Sequence, residues 1–156
     1  MEDLSLHILD VAENSIRALA TLIQVEIEER PDEDLLVITI TDNGNGMATE
    51  EVERSLDPFY STKNGRKVGL GLPFLADAAR EAGGELKIVS TPGGGTSVRA
   101  TFNLSHVDLK PLGDIPATLQ TLLRAHPEID FTFRYTAGGE DVVFDTRGLG
   151  HGEAKD

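Results

Sequence analysis

Apolar residues return at three- and four-residue steps near the start of the chain. Ile8, Val11, Ala12, Leu19 and Leu22, with Ser15 among them, share one side of a helical net and predict a helix from Leu4 to Leu22. The period then shortens. Ile23, Val25 and Ile27 alternate with Gln24, Glu26 and Glu28, the pattern of a half-buried strand. Pro31 to Asp34 is an acidic turn, and the β-branched run from Leu35 to Thr41 makes a second strand, hairpinned to the first. Asp42-Asn43-Gly44-Asn45-Gly46 breaks that strand. A short helix from Ala48 to Leu56, a loop from Pro58 to Val68 and a helix from Gly69 to Ala82 follow, the last closed by Gly83-Gly84. Leu86 to Ser90 and Ser97 to Leu104 read as strands around Pro92-Gly93-Gly94-Gly95.

The character changes past His106, where Pro111 and Gly113 mark a linker. Pro116 to Ala125 carries Leu119, Leu122 and Leu123 on one side of a short helix. Ile129 to Tyr135 and Val142 to Asp145 form a hairpin around Ala137-Gly138-Gly139. The glycine-rich, charged residues 148–156 read as a flexible tail. Helices interleaved with strands, with a hairpin at the front, predict an α+β two-layer sandwich. A wholly parallel sheet is disfavoured, because the turn between the first two strands is too short for a crossover.

Three segments place chemistry on this frame. His7, Asp10, Asn14 and Arg17 follow one another at steps of three, four and three, so they project from one face of the first helix. Such a stripe is either a solvated face or a site. The mixture of acid, amide and base, with an asparagine in a helix interior where it is a poor helix former, sets it apart from ordinary Glu/Lys pairing. A carboxylate and an amide oxygen one turn apart can also hold a hydrated Mg2+. Asp42 continues the parity of Leu36, Ile38 and Ile40, which aims a carboxylate at the apolar side of a strand end, where it must find a donor. That donor is either the Asn43-Gly44 turn itself or a ligand such as the amino group of a purine, and Gly44 and Gly46 would let a flat ring approach the backbone. From Pro58 to Ala76 there is no acidic residue, while Lys63, Arg66 and Lys67 stand there and Gly69 and Gly71 lead into a helix N-terminus. Free N–H groups and the positive end of the helix dipole favour anions at such a place. The order is neither a Walker A loop nor the dinucleotide fingerprint, since Phe74 occupies the place of the third glycine. Gly93-Gly94-Gly95-Thr96 by itself is a hairpin turn.

The acid-free stretch matters more because of the rest of the chain. It has 156 residues with 27 acidic and 14 basic side chains, a formal charge of −13, which argues against nucleic acid as a partner. There is no cysteine, so disulfides, thiolate metal sites and cysteine nucleophiles are excluded. No apolar run approaches a membrane span and the acidic N-terminus lacks a signal-peptide pattern, so a cytoplasmic protein with no membrane partner is expected.

Taken together, these segments resemble the GHKL superfamily of ATP-binding proteins, which groups gyrase, heat-shock chaperones, histidine kinases and mismatch-repair ATPases. Ile8 to Arg17 looks like its asparagine box, Asp42-Asn43-Gly44-Asn45-Gly46-Met47 like its Asp-x-Gly-x-Gly box, and Gly93-Gly94-Gly95-Thr96 like its last glycine box. Asp57-Pro58-Phe59-Tyr60-Ser61-Thr62-Lys63 and Gly69-Leu70-Gly71-Leu72 are similar to the corresponding boxes of sensor histidine kinases. The resemblance covers about residues 4–104. It implies the Bergerat fold, a mixed sheet covered by helices on one face, over residues 1–106. Residues 107–147 would be a small C-terminal helix-plus-hairpin extension, packed on or lengthening the same domain.

The resemblance also implies roles. Asn14 would be a ligand of the Mg2+ that bridges the ATP phosphates, Arg17 a phosphate contact and Asp42 the acceptor for the adenine amino group. Gly44, Gly46 and Met47 would line the adenine slot, with the Thr96 hydroxyl supporting it. Phe59 to Val68, with Thr62, Lys63 and Lys67, would form the mobile ATP lid, and Gly69, Leu70, Gly71 and Leu72 would bring backbone N–H groups to the phosphates. Where gyrase-like members have a catalytic glutamate, four residues before the metal asparagine, this chain has Asp10, one methylene shorter, so a base role there depends on reach. Glu13 lies about 100° round the helix from Asn14 and ranks below Asp10 as a base. His7 lies on the asparagine-box helix and is expected to pack or to rim the pocket, not to accept a phosphate; His106, His126 and His151 are scattered. The expectation is therefore a Mg-ATP-dependent kinase module that lacks its own phosphoacceptor domain and passes the γ-phosphate to a separate protein. An ATP-gated binding module and a slow ATPase using Asp10 are the alternatives, and the extension is a possible homodimer or partner surface.

Overall fold

The computed structural model describes residues 3–57 and 71–146. Helix α1 (Leu4–Arg17) opens the chain, and Asp3 caps it by accepting from the Leu6 amide at 3.2 Å. The Leu4 and Ser5 amides, which the helix itself leaves without acceptors, donate to the carbonyls of Pro111 and Leu112 at 2.9 and 2.8 Å. The linker thus closes the start of α1. The helix does not run to Leu22. It ends at Arg17, with Leu19 at φ 66° and the Leu19 and Ala20 amides returning to the carbonyls of Ile16 and Ser15. That is a Schellman turn with leucine at the place usually held by glycine. Leu19 is left 70% exposed, so its helical spacing was coincidental.

Strands β1 (Leu22–Arg30) and β2 (Leu35–Asp42) form the expected hairpin across a 3-10 turn at Pro31–Glu33. Helix α2 (Thr49–Ser55) and helix α3 (Gly71–Glu81) come next, then β3 (Leu86–Ser90), β4 (Thr96–Asn103), helix α4 (Ile115–Ala125), β5 (Asp130–Ala137) and β6 (Glu140–Asp145). The six strands make one sheet in the order β3-β4-β2-β1-β5-β6. Every neighbouring pair is antiparallel except β1 with β5, which makes the sheet mixed. Residues 107–146 therefore lengthen the sheet beyond β1, with α4 as the crossover.

One face of the sheet carries the core. Ile23, Val25 and Ile27 of β1, Leu36, Ile38 and Ile40 of β2, Val98, Ala100 and Phe102 of β4 and Phe131 and Phe133 of β5 are buried against Leu4, Ile8, Val11, Leu75, Ala79 and Leu122 of the helices. Full burial of each large side chain is worth about 1.5–3 kcal/mol, which fixes the register of strands that alternate so cleanly. The other face carries Glu26, Arg99 and Arg134, all exposed. Among the described residues, no helix is long and apolar enough to cross a membrane.

Candidate functional site

The parity that buries Leu36, Ile38 and Ile40 delivers Asp42 to the last position of β2, half-buried at the margin of the core. Both carboxylate oxygens meet donors. Oδ1 accepts from the Gly44 amide at 2.8 Å, an aspartate turn of the ordinary kind. Oδ2 accepts from the Ser15 hydroxyl at 2.6 Å, across from α1. The turn reading of Asp42 holds, and its second oxygen is held by a buried side chain, a donor that neither sequence reading named.

Strand register carries the site sideways. Asp42 pairs with Thr96 of β4, and Thr96 pairs with Ser90 of β3. The Ser90 hydroxyl lies 2.8 Å from that of Thr96, donates to the Gly95 carbonyl at 3.0 Å and accepts from the Met47 amide at 2.8 Å. With its one proton on Gly95, Ser90 takes the Thr96 proton, and Thr96 keeps its lone pairs for whatever sits beside it.

Backbone crowding dictates the glycines of the loop. A side chain on Gly46, at φ 73°, would strike the Thr91 carbonyl, and one on Gly95, at φ 82°, would strike that of Asp42. A Cβ on Gly44 would come within 2.7 Å of the Ala18 carbonyl. The Asn45 amide donates to that same carbonyl at 2.8 Å, and Asn43 accepts from the amides of Thr21 and Leu22 at 2.8 and 3.0 Å. The loop is clamped between the end of α1 and the turn before β4.

On α1, Arg17 donates to the Asn14 amide oxygen at 2.8 Å, which joins two of the four residues of the stripe. Gly71, the first residue of α3, sits on this helix: a Cβ there would lie 2.6 Å from that of Asp10 and 3.0 Å from the Val11 nitrogen. The glycine brings the start of α3 against Asp10.

The model of the family described as "Histidine kinase-, DNA gyrase B-, and HSP90-like ATPase" matches residues 2–106. The chain belongs to this ATPase family. Relatives include the sensor histidine kinase YxdK of Bacillus subtilis (strain 168), 34% identical over 51% of this chain, and sporulation kinase C of the same organism, 38% identical over 62%. The chain spans 26% and 22% of those two proteins. Among solved structures, the Aquifex aeolicus MutL ATPase domain complexed with ADP matches 88% of this chain and 61% of its own, with a TM-score of 0.50 and 21% identity, a likeness of fold.

Against the family's motifs, the structure brings Asp42, Gly44, Gly46, Met47 and Thr96 into one hydrogen-bonded corner, and Asp10, Asn14, Arg17 and Gly71 along the adjoining helix. Leu72 turns into the core, 5% exposed. Phe59, Thr62, Lys63, Lys67, Gly69 and Leu70 lie outside the described residues. His7 is 3% exposed and meets Phe74 edge to face at 6.2 Å, a packing role. Glu13 faces the extension, with its Oε2 3.4 Å from Nε2 of His126. Sequence reasoning missed Ser15 and Ser90. A serine on the apolar stripe of a helix, next to Asn14, was the available signal for the first; nothing marked the second.

Proposed function

We propose that the chain is a histidine-kinase-like module that binds Mg-ATP and transfers the γ-phosphate to a separate protein. The observation that carries this reading is the Asp42 carboxylate, held by Ser15 and Gly44 beside a loop with no room for side chains. An ionised carboxylate only accepts, so it suits an exocyclic amino group and opposes a keto oxygen. Thr96, with its proton turned to Ser90, presents an acceptor to the same edge or to a bridging water.

The phosphates would then be held toward Asp10, Asn14 and the start of α3, where N–H groups and the helix dipole favour negative charge. The donors fit Mg2+, which takes one or two protein oxygens and fills its shell with water and phosphate. Asn14 would supply the amide oxygen, and among the described residues no group of three acids or histidines forms a protein cage that would compete. The ion, when bound, neutralises charge developing on the transferred group. Arg17, which here donates to Asn14, would supply a guanidinium to a phosphate oxygen. Catalysis of this kind is positioning and charge neutralisation.

The contact of Gly71 with Asp10 favours a second reading, slow hydrolysis with Asp10 as the base. Incubating the full chain with γ-labelled ATP and Mg2+ in a cell lysate separates the two. Transfer predicts a labelled protein, acid-labile if the acceptor is histidine and acid-stable if it is serine. Release of labelled phosphate with no labelled protein, abolished by Asp10→Asn, would overturn transfer in favour of hydrolysis. Asn14→Ala is expected to remove the Mg2+ dependence of nucleotide binding, and an unchanged Mg2+ titration would contradict its metal role.

A further inference from the structure

Ser15 is 4% exposed, inside a helix, with a polar group that burial would penalise if it had no partner. Its hydroxyl has one proton, and that proton goes to Asp42 Oδ2 at 2.6 Å across 27 residues of sequence. The other oxygen is already held by the Gly44 amide at 2.8 Å. A carboxylate with one donor on each oxygen has its plane fixed, and its remaining lone pairs point in set directions. With Oδ2 released, the group would turn about its last bond, since such torsions are broad.

We infer that Ser15 is a positioning residue for base selectivity: by fixing the plane of the Asp42 carboxylate it makes the pocket prefer a 6-amino purine nucleotide over a 6-keto one. The inference rests on the adenine reading of Asp42 given above. A 6-amino group donates to the fixed oxygen. A 6-keto group faces it lone pair to lone pair and draws nothing from its orientation. Ser15 therefore acts on amino-purine binding and leaves keto-purine binding unchanged, which a purely structural serine would not do.

The test is titration of the full chain with ATP and with inosine triphosphate, both with Mg2+, in wild type and in Ser15→Ala and Ser15→Thr. Wild type is expected to prefer ATP. Ser15→Ala is expected to weaken ATP about 5–20-fold, the scale of one hydrogen bond acting through a charged group, while inosine triphosphate stays within about twofold. Ser15→Thr, which keeps the hydroxyl, restores the preference. Should Ser15→Ala fail to fold, Ser15→Cys, nearly isosteric with a weaker donor, makes the same comparison and is expected to fall between. An ATP preference that survives in the folded Ala or Cys variant, or an equal loss for both nucleotides, overturns the role of Ser15 alone. A wild type that binds both nucleotides equally, or neither, overturns the adenine reading on which it rests.

Discussion

The two ends of the sheet are held together by different means. Around Asp42 the backbone itself is the packing surface: Gly46 lies against the Thr91 carbonyl, Gly95 against that of Asp42, and Gly44 against that of Ala18. Around β5 and β6 the contacts are made by long side chains. Arg134 makes a fork to Asp141, Tyr135 donates to Glu29 at 2.6 Å, and the turn glycines Gly138 and Gly139 have open space around them. The first arrangement fixes a shape to within a methyl group. The second joins strands and tolerates exchange. A pocket for a flat ring, as proposed for the Asp42 corner, needs the first, and a sheet edge can use the second.

The same substitution at both ends gives the sharpest contrast. Gly46→Ala must bear a positive φ of 73° and a collision with fixed backbone, so a loss of about 2–4 kcal/mol is expected in urea denaturation. Gly138→Ala, at φ 58° with nothing near, carries only the left-handed backbone cost of about 1–2 kcal/mol. Equal losses would erase the distinction drawn between the two regions. Tyr135→Phe comes next. The hydrogen bond to Glu29, with burial added, pushes the Tyr135 phenol up from 10.0 to about 12. Its contribution is complete below pH 10 and is lost as pH rises from 10 towards 12, because the unfolded chain releases the proton first. The variant should lose about 1 kcal/mol at neutral pH and show a flatter decline between pH 10 and 12. Smallest of all is Arg134→Met. The pair with Asp141 is solvent-exposed, and its removal should leave the denaturation midpoint nearly unmoved and nucleotide affinity unchanged.

Much of this was written in the sequence, for physical reasons that differ by element. Strand alternation announced which faces are buried, and it carried Asp42 to the core-side margin. The ends of α1 and α3 show the limit. Both close with the same turn, but α3 uses Gly83 at φ 83°, which any reader of sequence can find, and α1 uses Leu19, which carries no such mark. The parallel union of β5 with β1 was not legible, because a hairpin pattern does not say which edge it joins. Ser15 and Ser90 were hidden for a related reason. A hydroxyl has no period, and its importance comes only from the partner that folding brings to it.

The proposed function turns on Asp42 as the acceptor for the base. Titrating ATP into wild type and into Asp42→Asn, with circular dichroism to confirm an unchanged fold, tests it directly. The asparagine keeps the size but replaces a charged acceptor with a neutral amide, so affinity is expected to fall roughly 10–150-fold. A folded Asp42→Asn protein that binds ATP as tightly as wild type would contradict the assignment of this corner to the adenine ring.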